Sequence, residues 1–161
     1  MQTTVKTDAV RKELDELFAS SRSSETLMTD VVKVLHDRML KYNWVGFYMI
    51  EESDGQPFLV LGAFQGAMTP HTKIALNQGI CGAAASSGKT VIVDDVGSDA
   101  RYLACSLETK SEIVVPVYAH GKVVGELDID SHFPAAFTAE DRELVEHCAK
   151  LVGKQLEQSH A

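Results

Sequence analysis

Two strand-like segments joined by a tight turn constrain the fold of this chain most strongly. Residues 111–119 read SEIVVPVYA, residues 122–131 read KVVGELDIDS, and His120 and Gly121 separate them. Apolar, β-branched runs on both sides of a two-residue turn that contains glycine predict an antiparallel β-hairpin. Side chains alternate between the faces of a strand, so the acids at every second position of GELDIDS share one face.

Carboxyl groups cluster on this hairpin. Counting outward from the turn places Glu112 near Asp128 and Asp130, and Glu126 shares their face. Like charges this close raise each other's pKa unless a cation intervenes. A solvated face is the ordinary explanation for acids on a strand, but we expect both faces of this sheet to be covered. The cluster therefore predicts a pocket for a cationic ligand, either a metal ion or a small-molecule ammonium group.

The remaining patterns predict an α+β fold with a single domain. Helical spacing of apolar residues predicts helices over residues 8–20, 23–42 and 137–158. In the second of these, Leu40 is expected on the buried face. In the third, Thr138 is the predicted N-cap and forms a capping box with Asp141. Four further strands are predicted before the hairpin, over residues 43–52, 57–66, 71–76 and 90–96, and a short helix is predicted over residues 80–89.

This order predicts a central antiparallel sheet of five or six strands. The N- and C-terminal helices pack on one face, and a polar loop and the short helix form a pocket on the other. Residues 1–161 form one domain, divided into N-terminal helices (1–42), sheet and pocket (43–135) and C-terminal helix (136–161). Apolar stripes on the first and last helices cover the sheet or meet the same helices of a second chain, so a homodimer is expected.

Composition excludes several classes of protein. The net charge of −8 argues against nucleic acid as a partner, because phosphate binding requires clustered Lys and Arg. The chain has no apolar run long enough to span a membrane, and its charged N-terminus lacks the apolar core of a signal peptide. We therefore expect a cytoplasmic protein with no membrane partner.

Three cysteines are too few for a disulfide framework. Cys105 lies in a polar loop, where Arg101 and Lys110 could lower its pKa; the alternative is a loop cysteine tucked against the sheet. Cys81 lies near a predicted helix N-terminus, where the helix dipole favours a thiolate. The alternative is that Cys81 is a small buried residue that packs the start of the helix. Cys148 lies on an apolar helix face and is expected in the core. No CxxC pair is present, so no metal site is predicted from the cysteines.

Aromatic residues mark the first strand. Trp44 and Tyr48 share one face, and Phe47 is expected in the core on the other. Trp44 beside an acidic pocket could contact a cation or a methyl-thioether group. Three histidines fall in predicted turns and are expected to be exposed: His71, His120 and His132.

Five segments in order, NWVGFY, LGAFQG, QGICGAAA, ACSLETKSEIVVP and GELDIDS, resemble a GAF domain and, more narrowly, the free methionine-(R)-sulfoxide reductases. The resemblance runs from about Asn43 to the last helix and implies a GAF-like fold. It implies that Cys105 is the nucleophile and Cys81 a second redox cysteine. It further implies that the substrate is held by Trp44, Glu112, Asp128 and Asp130.

The resemblance implies thiol-dependent reduction of free L-methionine-(R)-sulfoxide through a sulfenic acid and a disulfide, with Glu112 as proton donor. The expected reductant is thioredoxin, and no metal or organic cofactor is implied. The family's usual third cysteine is replaced by His71, and the Asp after the nucleophile by Ser106. Cys81 is then the thiol that would condense with the sulfenic acid, unless an external thiol does so.

Two other functions remain open at this point. One is a non-catalytic GAF module that binds a small molecule and signals through its dimer. The other is a redox switch that uses Cys81 and Cys105 without a substrate. The carboxylate cluster separates the redox switch from the other two functions, since catalysis and amine binding require the acids and a thiol switch does not.

Overall fold

A six-stranded antiparallel sheet with helices on both faces forms the structure, a computed structural model that describes residues 2–102 and 108–159. The helices are α1 (Gln2–Ser20), α2 (Ser24–Arg38), α3 (Gly79–Ser87) and α4 (Ala139–Ser159). The strands are β1 (Trp44–Ser53), β2 (Gln56–Gln65), β3 (Lys73–Ala75), β4 (Val91–Val93), β5 (Ser111–Ala119) and β6 (Lys122–Ser131), in the spatial order β3-β2-β1-β6-β5-β4. The predicted α+β fold is confirmed.

The β5–β6 hairpin occupies the middle of the sheet. Its turn residues His120 and Gly121 have φ of 52° and 77°, the left-handed pair that a tight two-residue hairpin turn requires. The register places Glu112 directly opposite Asp130, which confirms that Glu112 lies near the two aspartates. A β-bulge between Val117 and Tyr118 sets this register, because an uninterrupted count from the turn would place Glu112 opposite Ile129. On its other edge β6 pairs with β1, where Trp44 lies opposite the same Asp130.

The helical layer covers one face of the sheet. Helices α2 and α4 pack on the strands, and α1 packs on α2 and α4. Leu127 and Ile129 point into this core, which also holds Phe47 and Cys148 as predicted. The apolar stripes of α1 and α4 meet each other within the chain, so they give no independent support to a homodimer, which stays a prediction. No helix in the described part of the chain is long and apolar enough to cross a membrane.

Helix caps explain where α2 and α4 begin. The Ser23 hydroxyl accepts the Thr26 N–H at 3.1 Å. At α4, Asp141 Oδ2 accepts the Thr138 N–H at 2.9 Å and the Thr138 hydroxyl accepts the Asp141 N–H at 3.3 Å, which confirms the predicted capping box. The Tyr42 hydroxyl donates to the other oxygen of Asp141 at 2.5 Å, so the cap is tied to the chain just before β1.

Two predicted helix boundaries are wrong. Helix α1 begins at Gln2, six residues earlier than predicted. Helix α2 ends at Arg38, because the backbone turns extended at Met39. Leu40 therefore lies outside the helix and is 80% exposed, while Met39 and Tyr42 take the buried positions.

Candidate functional site

Three carboxyl groups form the floor of a pocket on the face of the sheet opposite α2 and α4. Glu112 comes from β5, Asp128 and Asp130 come from β6, and each is at most 5% exposed. Helix α3 packs over these two strands and closes the pocket from above. The cavity of this pocket has a volume of about 30 Å³. The register of the β5–β6 hairpin brings the three acids together, as expected.

Burial and mutual repulsion raise the pKa of two of these acids. Burial raises the pKa of Glu112 well above its usual value, and the charges of Asp128 and Asp130 raise it further. Burial also raises the pKa of Asp128, although hydrogen bonds from Glu112 and Cys81 oppose the rise. A cation bound between these carboxyl groups would oppose both shifts, because it favours the ionised forms.

Cys81 lies in the first turn of α3, with its thiol directed into the acid cluster. Its Sγ donates a hydrogen bond to Asp128 Oδ2 at 3.4 Å. Burial raises the pKa of this thiol, and the charges of Asp128, Glu126 and Glu112 add to the rise. The expectation that the helix dipole favours a thiolate is wrong for this state of the protein, since desolvation and the neighbouring acids outweigh it.

Aromatic side chains form the walls of the pocket. Trp44 stacks on Phe64, with ring centroids 5.8 Å apart, and its indole N–H donates to the Ala67 carbonyl at 3.0 Å. Gly66 allows this close packing, because a Cβ there would lie 2.7 Å from the indole and its φ is +124°. Tyr48 lies 6.2 Å from Trp44, ring centroid to ring centroid. The indole is thus held rigidly beside the acids.

The pocket includes residues that sequence reasoning did not single out. Tyr48, Thr69 and Tyr102 line it. The parity that Tyr48 shares with Trp44 could have identified it, whereas Thr69 and Tyr102 are loop residues without a pattern. His71 also lines the pocket and is half-buried, so the expectation of an exposed turn residue is wrong: the Tyr48 hydroxyl holds its loop by donating to the His71 carbonyl at 2.7 Å.

Cys105 and Ser106 lie outside the described residues, so the structure leaves the predicted nucleophile untested. Arg101, which was expected to lower the pKa of that thiol, forms an ion pair with Asp99 at 2.7 Å. Its guanidinium is therefore already engaged by a carboxylate. Cys81, Trp44 and the three acids, in contrast, all line one pocket.

A metal ion is the alternative ligand for such a cluster. One potential ligand atom from each of Cys81, Glu112 and Asp128 lies within 4.8 Å of the others. The raised pKa values of these three groups disfavour the deprotonated forms that a metal ion would need as ligands. The cluster thus offers a place for either ligand that the sequence suggested, a metal ion or an ammonium group.

Comparisons with known proteins show the family to which this chain belongs. The GAF domain family model matches residues 23–156. The free methionine-R-sulfoxide reductase of Escherichia coli is 31% identical over 147 residues, covering 89% of this chain and 86% of that protein. The protein of that name from Saccharomyces cerevisiae is 43% identical over 113 residues, covering 70% and 62%.

A solved structure extends the similarity to the whole fold. The free methionine-R-sulfoxide reductase of Neisseria meningitidis, in complex with its substrate, superimposes with a TM-score of 0.89 at 30% identity, covering 99% of this chain and 94% of that one. The chain therefore belongs to the GAF domain family, where it is similar to proteins named free methionine-R-sulfoxide reductase.

Proposed function

We propose that the protein reduces free L-methionine-(R)-sulfoxide to methionine, with Cys105 as nucleophile. The observation that carries the proposal is the buried cluster of Glu112, Asp128 and Asp130 beside the Trp44 indole. A cluster of buried acids is costly without a cation, and a free amino acid supplies one in its ammonium group. The names of the similar proteins support the same substrate.

The pocket offers a partner for each end of this substrate. The ammonium group binds among Glu112, Asp128 and Asp130, where the two aspartates supply the negative charge and Glu112 keeps its proton. The indole of Trp44 contacts the S-methyl group. An amide nitrogen has no such charge, so the proposal restricts the enzyme to free methionine sulfoxide and excludes the residue within a peptide chain.

In the first step the Cys105 thiolate attacks the sulfoxide sulfur, and Glu112 donates a proton to the sulfoxide oxygen. The oxygen passes from the sulfoxide to the Cys105 sulfur: the sulfoxide is reduced by two electrons to methionine, and the thiolate, with the proton from Glu112, becomes a sulfenic acid. The raised pKa of Glu112 suits a proton donor at neutral pH.

In the second step the Cys81 sulfur attacks the Cys105 sulfenic acid. The S–S bond forms, the S–O bond breaks, and the leaving hydroxide takes the thiol proton to become water. An external dithiol, of the thioredoxin type, then reduces the disulfide. If Cys81 does not reach Cys105, the external thiol attacks the sulfenic acid directly. The proposal requires no metal or organic cofactor.

Turnover of the purified epimers tests this function. We expect methionine from the free (R)-sulfoxide with dithiothreitol, none from the (S)-sulfoxide, and none from the N-acetylated (R)-sulfoxide. Cys105→Ser should abolish turnover, while Cys148→Ala, a buried cysteine in the core far from the pocket, should retain it. Failure of the wild-type protein to reduce either epimer would reject the enzyme and favour a GAF module that only binds an amine.

A further inference from the structure

A wide groove lies between α4 and β5, apart from the pocket that holds the acids. Its volume is about 620 Å³, within the range of sites for small molecules and cofactors. Gly88, Lys89 and Thr90, which join α3 to β4, complete its wall. None of the described residues lines both the groove and the acid pocket. The proposed reduction gives this groove no role.

The groove is basic, although the chain as a whole has a net charge of −8. Among the described residues, four basic side chains and two acids line it: Lys89, Arg142, Lys150 and Lys154, with Glu146 and Glu157. Lys150 and Lys154 are about one turn apart on α4, and like charges at this spacing repel each other. An anion bound between them removes that repulsion.

Both acids of the groove are already engaged. Glu146 Oε2 accepts the Thr90 hydroxyl at 2.6 Å and the Arg142 Nε–H at 3.1 Å. Glu157 Oε2 accepts the His120 N–H at 2.8 Å. Arg142 is therefore paired within the protein, and neither carboxylate is paired with a lysine.

The three lysines of the groove are exposed and free to bind a ligand. Within residues 2–102 and 108–159, Lys89, Lys150 and Lys154 form no ion pair. Three unpaired ammonium groups around one cavity raise the local concentration of anions. A ligand that matches them carries several negative charges close together.

An aromatic ring is held at the rim of the groove. Tyr118 is 47% exposed, and its hydroxyl donates to the Gly88 carbonyl at 2.6 Å. Gly88 permits this contact, since a Cβ at that position would collide with the tyrosine hydroxyl. A half-exposed ring fixed in this way offers a surface on which a flat ring of a ligand stacks.

An added peptide strand is the alternative occupant of the groove. Strand β4 pairs with β5 only as far as Val114, so in the described part of the chain residues 115–119 have no strand on that side. Pro116 lies in this segment and has no N–H to donate, which weakens strand addition. Recognition therefore falls to side chains, and the side chains present are cationic and aromatic.

We propose that the groove binds a small molecule with two or more phosphate groups and a flat ring, the chemistry of nucleoside di- and triphosphates. The phosphate oxygens bind Lys89, Lys150 and Lys154, and the ring stacks on Tyr118. Lysine suits this role because its compact ammonium group donates charge-assisted hydrogen bonds to phosphate. The proposal does not depend on the reduction of methionine sulfoxide.

Calorimetric titration with ATP tests the phosphate contacts. We expect ATP to bind once per chain, inorganic tripolyphosphate to bind more weakly, and adenosine to show no measurable binding. Lys150→Gln/Lys154→Gln should weaken ATP binding at least about tenfold, because contacts with charged groups are lost. The matched control is Lys33→Gln, an exposed lysine on α2 outside the groove, which should change the affinity less than about twofold.

Variants of Tyr118 test the ring contact. Tyr118→Leu should weaken ATP binding about tenfold and leave tripolyphosphate binding unchanged, because only ATP has a ring to stack. Tyr118→Phe keeps the ring and should bind ATP within about threefold of the wild type. All the substituted side chains are exposed, so the variants are expected to fold.

Three results would overturn the proposal. The first is no binding of ATP to the wild-type protein. The second is an equal loss of affinity in Lys33→Gln and in the double lysine variant, which indicates non-specific attraction to surface charge. The third is binding of a polyglutamate peptide without binding of ATP, which would assign the groove to an acidic protein segment. Equal binding of ATP by Tyr118→Leu and the wild type would refute the stacked ring.

Discussion

Replacing Glu112 by glutamine should stabilise the protein at neutral pH while removing its proposed proton donor. Glu112 is 5% exposed, and its pKa is raised by burial and by Asp128 and Asp130. A carboxyl whose folded pKa is raised stabilises the fold fully below its unfolded pKa, near 4.5, and loses that contribution as pH rises through the folded pKa. Glutamine has the same shape and is neutral at every pH.

The size of the effect follows from the raised pKa. Each unit of pKa shift corresponds to about 1.4 kcal/mol. Because the pKa of Glu112 is raised, its carboxyl makes folding less favourable at pH 7 than at pH 4, by an amount on the order of a few kcal/mol. We therefore expect Glu112→Gln to raise the free energy of unfolding by roughly 1–3 kcal/mol at pH 7 and by much less at pH 4.

Urea unfolding between pH 4 and pH 9 measures this difference. The matched control is Glu51→Gln, an exposed glutamate on β1, whose replacement should change stability by less than about 0.5 kcal/mol at any pH. A Glu112→Gln protein that is less stable than the wild type at pH 7, or that gains the same stability at pH 4, would refute the reasoning. Glu112 would then be ionised in the folded protein and bound to a cation.

Three further predictions follow from the same structure. Trp44→Phe should weaken binding of free methionine sulfoxide about tenfold, measured as KM, because a smaller ring leaves the S-methyl group without its contact. Cys81→Ser should still release one methionine per chain in a single turnover but lose turnover driven by thioredoxin, since no disulfide forms. Thr138→Ala should lower the free energy of unfolding by about 0.5–2 kcal/mol through loss of the α4 cap, measured by urea unfolding.

The sheet side of the site was predictable from sequence because strands obey simple geometry. Parity placed Asp128 and Asp130 on one face, and the two-residue turn brought Glu112 near them. The exact register was not predictable, because a β-bulge between Val117 and Tyr118 moves Glu112 from opposite Ile129 to opposite Asp130. The α4 capping box was predictable because it depends only on residues that are neighbours along the chain.

The protonation state of the site was not predictable, because it depends on burial from several elements at once. The position of Cys81 at a helix N-terminus suggested a lowered pKa and a thiolate. Burial of the thiol and three nearby acids raise the pKa of Cys81 instead. His71 was assigned to an exposed turn, because nothing in its neighbourhood along the chain indicates that Tyr48 holds the loop over the pocket. Leu40 was misplaced because helical spacing continues past the residue where α2 ends.

The central claim is that the acid cluster recognises the free amino group of the substrate, and calorimetric binding tests it most directly. Cys105→Ser protein, which cannot react, is titrated with L-methionine-(R)-sulfoxide and with its N-acetyl derivative. We expect binding of the free amino acid and no measurable binding of the N-acetyl derivative. Equal binding of the two compounds would contradict it, because the carboxyl groups of Glu112, Asp128 and Asp130 would then have no part in recognition.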